Sequence, residues 1–237
     1  MKNLVYSLFI FLPFLANSQE IRYNVIIGPS FSWITANNNK ISSSGSNLAF
    51  KVHVQGEYWL AERYAITGGI GFSLGQGGSM EYLKGGDIWK DVKFSDTIAA
   101  YHNLPPNATL SYSMNFLEFL IGLKLRTNQF GKFRFYVQAP EISINLRTKA
   151  RGDIDATGLV GTEDEDIRPM INFFSLFYGF GLGTEYSASP DITLTGGLRF
   201  FQSFTDLTND NGRYTDGTKE ESKGILSSID FRFGVIF

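Results

Sequence analysis

The sequence predicts an all-β fold, an eight-stranded antiparallel up-and-down transmembrane β-barrel with long extracellular loops. Three observations predict it. Eight segments alternate between apolar and polar residues with period two, the mark of strands that bury one face differently from the other. The apolar faces are rich in Phe, Tyr, Leu and Ile, whereas a water-soluble barrel would turn polar residues outward. Short and long connections alternate along the chain, which is the topology of outer-membrane barrels with short periplasmic turns.

The elements follow in order. The first strand is expected at Val25 to Thr35, with Val25, Ile27, Pro29, Phe31 and Trp33 outward and Gly28, Ser30 and Ser32 inward. After a polar link, Ala36 to Asn47, the second runs from Leu48 to Leu60 and sets Phe50, Val52 and Val54 against Lys51, His53, Gln55 and Glu57. A tight turn at Ala61 to Arg63 leads into the third, Tyr64 to Leu74, where Ile66, Ile70 and Phe72 oppose Thr67, Gly69, Gly71 and Ser73.

A segment rich in Gly, Pro, Asp and Lys, Gly75 to Ser111, reads as a long loop. The fourth strand, Tyr112 to Arg126, turns Leu117, Phe119, Ile121, Leu123 and Leu125 outward and Glu118, Gly122 and Lys124 inward. The fifth, Lys132 to Lys149, changes parity: Phe133, Phe135 and Val137 are outward before Pro140, and Ile142, Ile144 and Leu146 after it. One extra residue in a bulge at Pro140 accounts for this, because a bulge flips the face and tolerates the missing amide hydrogen. Beyond the link Ala150 to Asn172 come the sixth strand, Phe173 to Ser187, and the seventh, Ile192 to Ser203, separated by Ala188 to Asp191. After Phe204 to Lys223 the eighth strand, Ile225 to Phe237, puts Ser227, Ile229, Phe231, Phe233 and Val235 on one face and Ser228, Asp230 and Arg232 on the other. An even strand count places both termini in the periplasm.

At the N-terminus, Lys2, the apolar run Leu4 to Leu15 and the small residues Ala16-Asn17-Ser18 predict a cleaved signal peptide, residues 1–18, ahead of one barrel domain, 19–237. The leader is too short and too interrupted, by Pro13, to cross a bilayer as a helix. With no cysteine there is no disulfide, thiolate metal site, thiol nucleophile or lipidated N-terminal cysteine. The formal charge of -2 becomes -3 without Lys2, so the basic stripe of a nucleic-acid partner is missing.

The expected lumen holds Lys51, Lys124, Arg134, Arg147, Arg199 and Arg232 against Glu57, Glu118, Glu141, Glu185 and Asp230. An eight-stranded barrel is only about wide enough for its own side chains, so nearly balanced charges predict a paired structural plug and not a conducting path. Catalytic, cofactor and metal sites are expected to be absent. Gly71-Phe72-Ser73-Leu74-Gly75 has the spacing of a nucleophile elbow but lies within a strand, and Ser73 with His53 has no evident third partner. Gly179 to Gly183 lacks the helix of a dinucleotide fingerprint. Glu163 to Asp166 reads as a solvated acidic run before a calcium site, and Leu207 occupies the first ligand position of an EF-hand register around Asn209 to Gly212.

Leu117-Glu118-Phe119-Leu120, Leu123-Lys124-Leu125, Gly131-Lys132-Phe133 and Asn145 to Ala150 resemble the PorT-type outer-membrane β-barrel family, as do Gly181 to Tyr186 and Ser203-Phe204-Thr205-Asp206. The chain departs from that pattern at Leu120, where the family often has proline, and at Ala139-Pro140. The resemblance implies a non-enzymatic barrel of the Gram-negative outer membrane, in contact with its lipid, that assists type IX secretion or gliding together with components of that apparatus. It also implies that terminal Phe237 is the C-terminal signal read by the barrel-insertion machinery. The alternatives are an independent surface barrel with ligand- or adhesion-binding loops, and, behind it, a small porin or a lipid hydrolase. Gly75 to Ser111 and Ala150 to Asn172 are the candidate partner surfaces.

Overall fold

The computed structural model describes residues 20–95, 99–209 and 211–237. The expected signal peptide lies outside them. Eight long strands close a ring: β1 (Glu20–Ala36), β2 (Ile41–Ala61), β3 (Tyr64–Tyr82), β5 (Ala108–Arg126), β6 (Phe133–Asp155), β8 (Phe174–Ser187), β9 (Thr193–Ser203) and β11 (Gly224–Ile236). Three short strands complete the set, β4 (Gly86–Asp87), β7 (Thr162–Asp166) and β10 (Arg213–Tyr214). Each long strand pairs antiparallel with its sequence neighbour, and β1 closes the ring on β11 from Asn24↔Ile236 to Ala36↔Gly224. Closure leaves the long strands no free edge in lipid, where an unpaired peptide group would cost several kcal/mol.

The outward faces carry the expected apolar belt, from Tyr64 to Leu74 on β3, Leu117 to Leu125 on β5 and Ile229 to Phe237 on β11. Its extent along each strand matches the roughly 9–11 residues that cross a bilayer. The parity change in β6 also stands: between Gln138 and Glu141 the register shifts, so Ala139 and Pro140 together oppose one residue of β5. Ser227 has the lipid-side parity expected of it yet is buried, beside Trp33 in register and accepting a 3.3 Å hydrogen bond from Gln202 Nε2.

The expected long connections are much shorter than the sequence suggests. β2 already begins at Ile41, so the first link is only residues 37–40, and β3 continues to Tyr82 while β5 begins at Ala108. β6 runs on to Asp155 and then pairs with β7, and the last loop contains β10. The physical reason is an inversion of polarity at the belt's edge. Beyond it the outward face meets water, so Ser42, Ser43 and Ser46 are exposed strand residues paired with β3, with Ser44 the extra residue of a register shift, and not a loop. The inward face there is apolar instead. Gly75, at φ 77°, is the left-handed residue in the register shift that lets β3 continue past Ser73.

The connections that remain fold inward as a cap. Ile34, Met80, Tyr82, Leu110, Tyr112, Met114 and Phe116 from the barrel wall form one apolar core with Trp89, Tyr101, Leu104, Ile167, Met170 and Leu207 from the loops. The loops also bind one another: β4 pairs with β10, the Asn209 amide donates to the Met170 carbonyl at 2.8 Å, and Lys84 meets Asp216 at 2.6 Å.

Candidate functional site: the lumen charge network and its cap

Period two drives the charged residues of the belt region into the lumen, and their chemistry then requires partners, because an unpaired buried charge is very costly. Asp230 on β11 is the hub. It accepts from Ser30 Oγ at 2.6 Å and Arg199 Nε at 2.8 Å, and Lys51 Nζ lies 3.2 Å away. Arg199 reaches Glu141 with Nη1 at 3.0 Å, and Arg232 Nη1 stands 3.6 Å from the other Glu141 oxygen. Arg232 also donates to Gln138 Oε1 at 3.0 Å and Gln55 Oε1 at 2.8 Å, tying β11 to β6 and β2.

Two further groups flank this hub. His53 Nε2 and Glu118 Oε2 are 2.7 Å apart, Lys51 is 3.9 Å from the same carboxylate, and Ser143 bonds Asn145, which donates to Glu118. Toward the tight turns, Lys124 lies 2.5 Å from Glu57 and 2.6 Å from Glu185, with its ammonium 4.4 Å from the centre of the Tyr136 ring. Gly183 and Gly197 make room for that ring, since a Cβ on either would come within 2.7 Å of the Tyr136 hydroxyl.

Nine of the expected lumen charges are buried and joined in this way: Lys51, Glu57, Glu118, Lys124, Glu141, Glu185, Arg199, Asp230 and Arg232. Two are not brought in. Arg134 is half-buried near the turn end, opposite Glu185 in register but outside the network. Arg147 sits where a second register shift in β6, between its pairings with Asn115 and Phe116, turns the strand at the belt's edge. One member was missed: Arg126, two residues beyond Lys124 on the same parity, stacks 3.5 Å over Trp59 and lies 4.0 Å from Glu185. With it, five cations face five carboxylates across a packed interior.

The hydrolase arrangement does not assemble. His53 turns to Glu118, the residue opposite it on β3 is Gly71, and the Ser73 hydroxyl is buried with no hydrogen-bond partner among the described residues. The acidic run becomes β7 and spends its charges locally. Asp166 chelates Arg168, whose hydrogen bonds hold its carboxyl below the usual range, and Glu165 accepts from the Ser95 amide at 3.0 Å.

Above the charges, Trp89 Nε1 donates to the Tyr112 hydroxyl at 3.2 Å, and Tyr82 shares its hydroxyl proton with Tyr112 at 3.0 Å. Burial raises both phenols well above their ordinary pKa. Burial and then the charge of Glu220 push Tyr214 up to about 12. The arrangement supplies an apolar lid over a charge-paired plug.

A family model described as outer membrane protein beta-barrel domain matches residues 16–209. The chain is similar in structure to Neisserial surface protein A, NspA, at 12% identity over 93% of this chain and 98% of that one, TM-score 0.45. It is similar also to OprG of Pseudomonas aeruginosa, at 10% identity over 91% and 95%, TM-score 0.42. The same holds for Ail, the attachment invasion locus protein of Yersinia pestis, at 10% identity over 92% and 99%, TM-score 0.40. No curated protein matches the chain.

Proposed function

Because the chain belongs to the outer membrane protein β-barrel domain family, and so is a protein of the outer membrane, we propose that it works through its surfaces and not through its lumen. It is a non-enzymatic barrel that assists type IX protein secretion or gliding by holding other components of that apparatus. The observation that carries this reading is the sealed interior: Arg199 bridges Glu141 and Asp230 across the lumen while Trp89 and Tyr112 close the space above. A barrel so filled offers transported protein no path, which leaves its rims and cap for partners. The choice of type IX secretion comes from the resemblance at Leu117 to Leu125 and Asn145 to Ala150.

In this reading both termini face the periplasm, the cap stands outside the cell, and Phe237 is the signal for the insertion machinery. Deleting the gene and measuring export of cargo that depends on type IX secretion tests it; loss of export is expected, and unchanged export overturns it. A second reading, an independent surface barrel that binds a ligand or another cell, is favoured by one feature, the folded cap with Val160 74% exposed. Replacing residues 156–163 by a short glycine linker separates the two, since that reading requires adhesion to fall while export is untouched.

A further inference from the structure

Asn211 is the one asparagine of the chain that a glycine follows. The pair lies in the last cap loop, between β9 and β11. Its side chain crosses to another loop of the cap: Asn211 Nδ2 donates to Asp91 Oδ2 at 2.8 Å, an exposed contact between residues 120 apart in the chain. The same two loops meet where β4 pairs with β10 and where Lys84 reaches Asp216, so the contact is one of several latches between them.

Packing explains the glycine. A Cβ at Gly212 would stand 2.9 Å from the Ile88 carbonyl oxygen and 3.3 Å from Glu220 Cβ, so a side chain has little room there. The Gly212 carbonyl accepts from the Glu220 amide at 2.9 Å, while its own amide has no backbone acceptor among the described residues. The fold therefore keeps the least hindered amide nitrogen directly after an exposed asparagine. Asparagine is a heat-labile residue, and an unhindered nitrogen next in the chain is what attacks its side-chain carbon.

We propose that Asn211 is a site of spontaneous deamidation and that the modification releases its latch on Asp91. The Gly212 nitrogen attacks Asn211 Cγ and forms an N–Cγ bond. The Cγ–Nδ2 bond breaks, and the Gly212 amide proton leaves with the NH2 group as ammonia. Water then opens the cyclic imide at either carbonyl, giving aspartate or isoaspartate. The sum is asparagine and water going to a carboxylic acid and ammonia, with no change of oxidation state. At neutral pH the new group is a carboxylate. It has no hydrogen to donate to Asp91 and carries the same sign, so the attraction becomes a repulsion. Asp91 thus acts twice: its hydrogen bond restrains the side chain before the reaction, and its charge keeps the loops from closing again afterwards. The step runs one way, and the cap of an older molecule is looser than that of a new one.

The test ages the full barrel in detergent micelles and reads each asparagine by peptide mass and by isoaspartyl labelling. Asn211 is expected to convert before any other asparagine, and D91A, which removes the restraint, to convert faster. N211D is expected to speed protease cleavage between residues 83 and 107 about fivefold, the scale of one exposed charge contact. D91N/N211D, which removes the repulsion, should recover most of that change, and N211Q should stay unconverted at this position. Heat-dependent gel migration checks folding. Aged wild type acquires the same charge after it has folded, so it gives the cleavage reading even if N211D does not fold. Asn211 that stays intact, or converts no faster than the other asparagines, overturns the assignment. So does an unchanged rate of conversion in D91A, or cleavage of aged protein and N211D at the rate of fresh wild type.

Discussion

Arg199 Nη2 lies 2.7 Å from Asp230 Oδ2, and both side chains are almost wholly out of water. The two residues face each other in register on β9 and β11, so the ion pair is also a cross-strand pair, and Glu141 extends it to β6. A buried pair of this kind is weak evidence of net stabilisation, but breaking it is costly because the survivor stays charged. Arg199→Met is therefore expected to destabilise the folded barrel by about 3–5 kcal/mol. The double variant R199M/D230N, which removes both members, should recover much of the loss. Urea midpoints in detergent micelles, read by heat-dependent migration, check the order: R199M below R199M/D230N, which lies nearer the wild type.

The same packing predicts electrical silence. Cations and carboxylates alternate around the lumen in contact, unlike the single-sign ring of a selective pore, and the apolar cap stands in series with them. Purified protein in planar bilayers is expected to give no steady conductance at moderate voltage. A stable open level of uniform size would show a path through the plug and would remove the premise of a surface role.

Which faces the strands turn outward was legible because the belt enforces period two on every stave, and even the slip at Pro140 left its trace in the parity of Phe133 to Leu146. Where the strands end was not. The rule of apolar outside and polar inside holds only within lipid, and above it the polar run Ser42 to Ser46 reads as a linker although Ser42, Ser43, Gly45 and Ser46 pair with β3. A trace existed in the inward row of β5, which reads Glu118, then Phe116, Met114, Tyr112, Leu110 and Ala108, an apolar run continuing the lumen face into the cap. For the site, the nine charges that parity turns inward lie buried within the belt, whereas Arg147, paired with the inward Phe116, stands above them at the belt's edge, and Arg126 lies at the last position of its strand. The cap's contacts, between segments as far apart as Trp89 and Tyr112, are tertiary and leave no local pattern.

The Tyr82 and Tyr112 pair predicts loosening of the cap at high pH. Both phenols have folded pKa values above the ordinary value of about 10, chiefly because burial disfavours the phenolate. A raised folded pKa contributes stability that is fully present below the unfolded value and is lost as pH rises from there toward the folded one. Protease cleavage within the cap should thus be slow and flat up to about pH 10, then accelerate. In Y82F/Y112F the alkaline rise should shrink even though the loss of the hydroxyl network makes the cap weaker at neutral pH. An unchanged alkaline profile in that variant would assign the effect to other groups.

Trp89 offers a way to separate the cap from the barrel. Its ring is 1% exposed, meets Tyr112 edge-on at 5.5 Å, and packs where Gly152 has no side chain: a Cβ there would stand 2.5 Å from the indole. Trp89→Ala is expected to cost the cap about 3–5 kcal/mol, the usual penalty for emptying a large aromatic site. Gly152→Val attacks the same contact from the wall side, by overpacking, at about 1–3 kcal/mol. Both changes lie above the lumen network and leave the belt's pairing from Asn24↔Ile236 to Ser30↔Asp230 untouched. The barrel should accordingly keep its heat-dependent migration while limited proteolysis begins to cut between residues 83 and 107. If both substitutions abolish the folded gel form as well, the cap is an integral part of the barrel's cooperative unit, and the two-layer description of the interior is wrong.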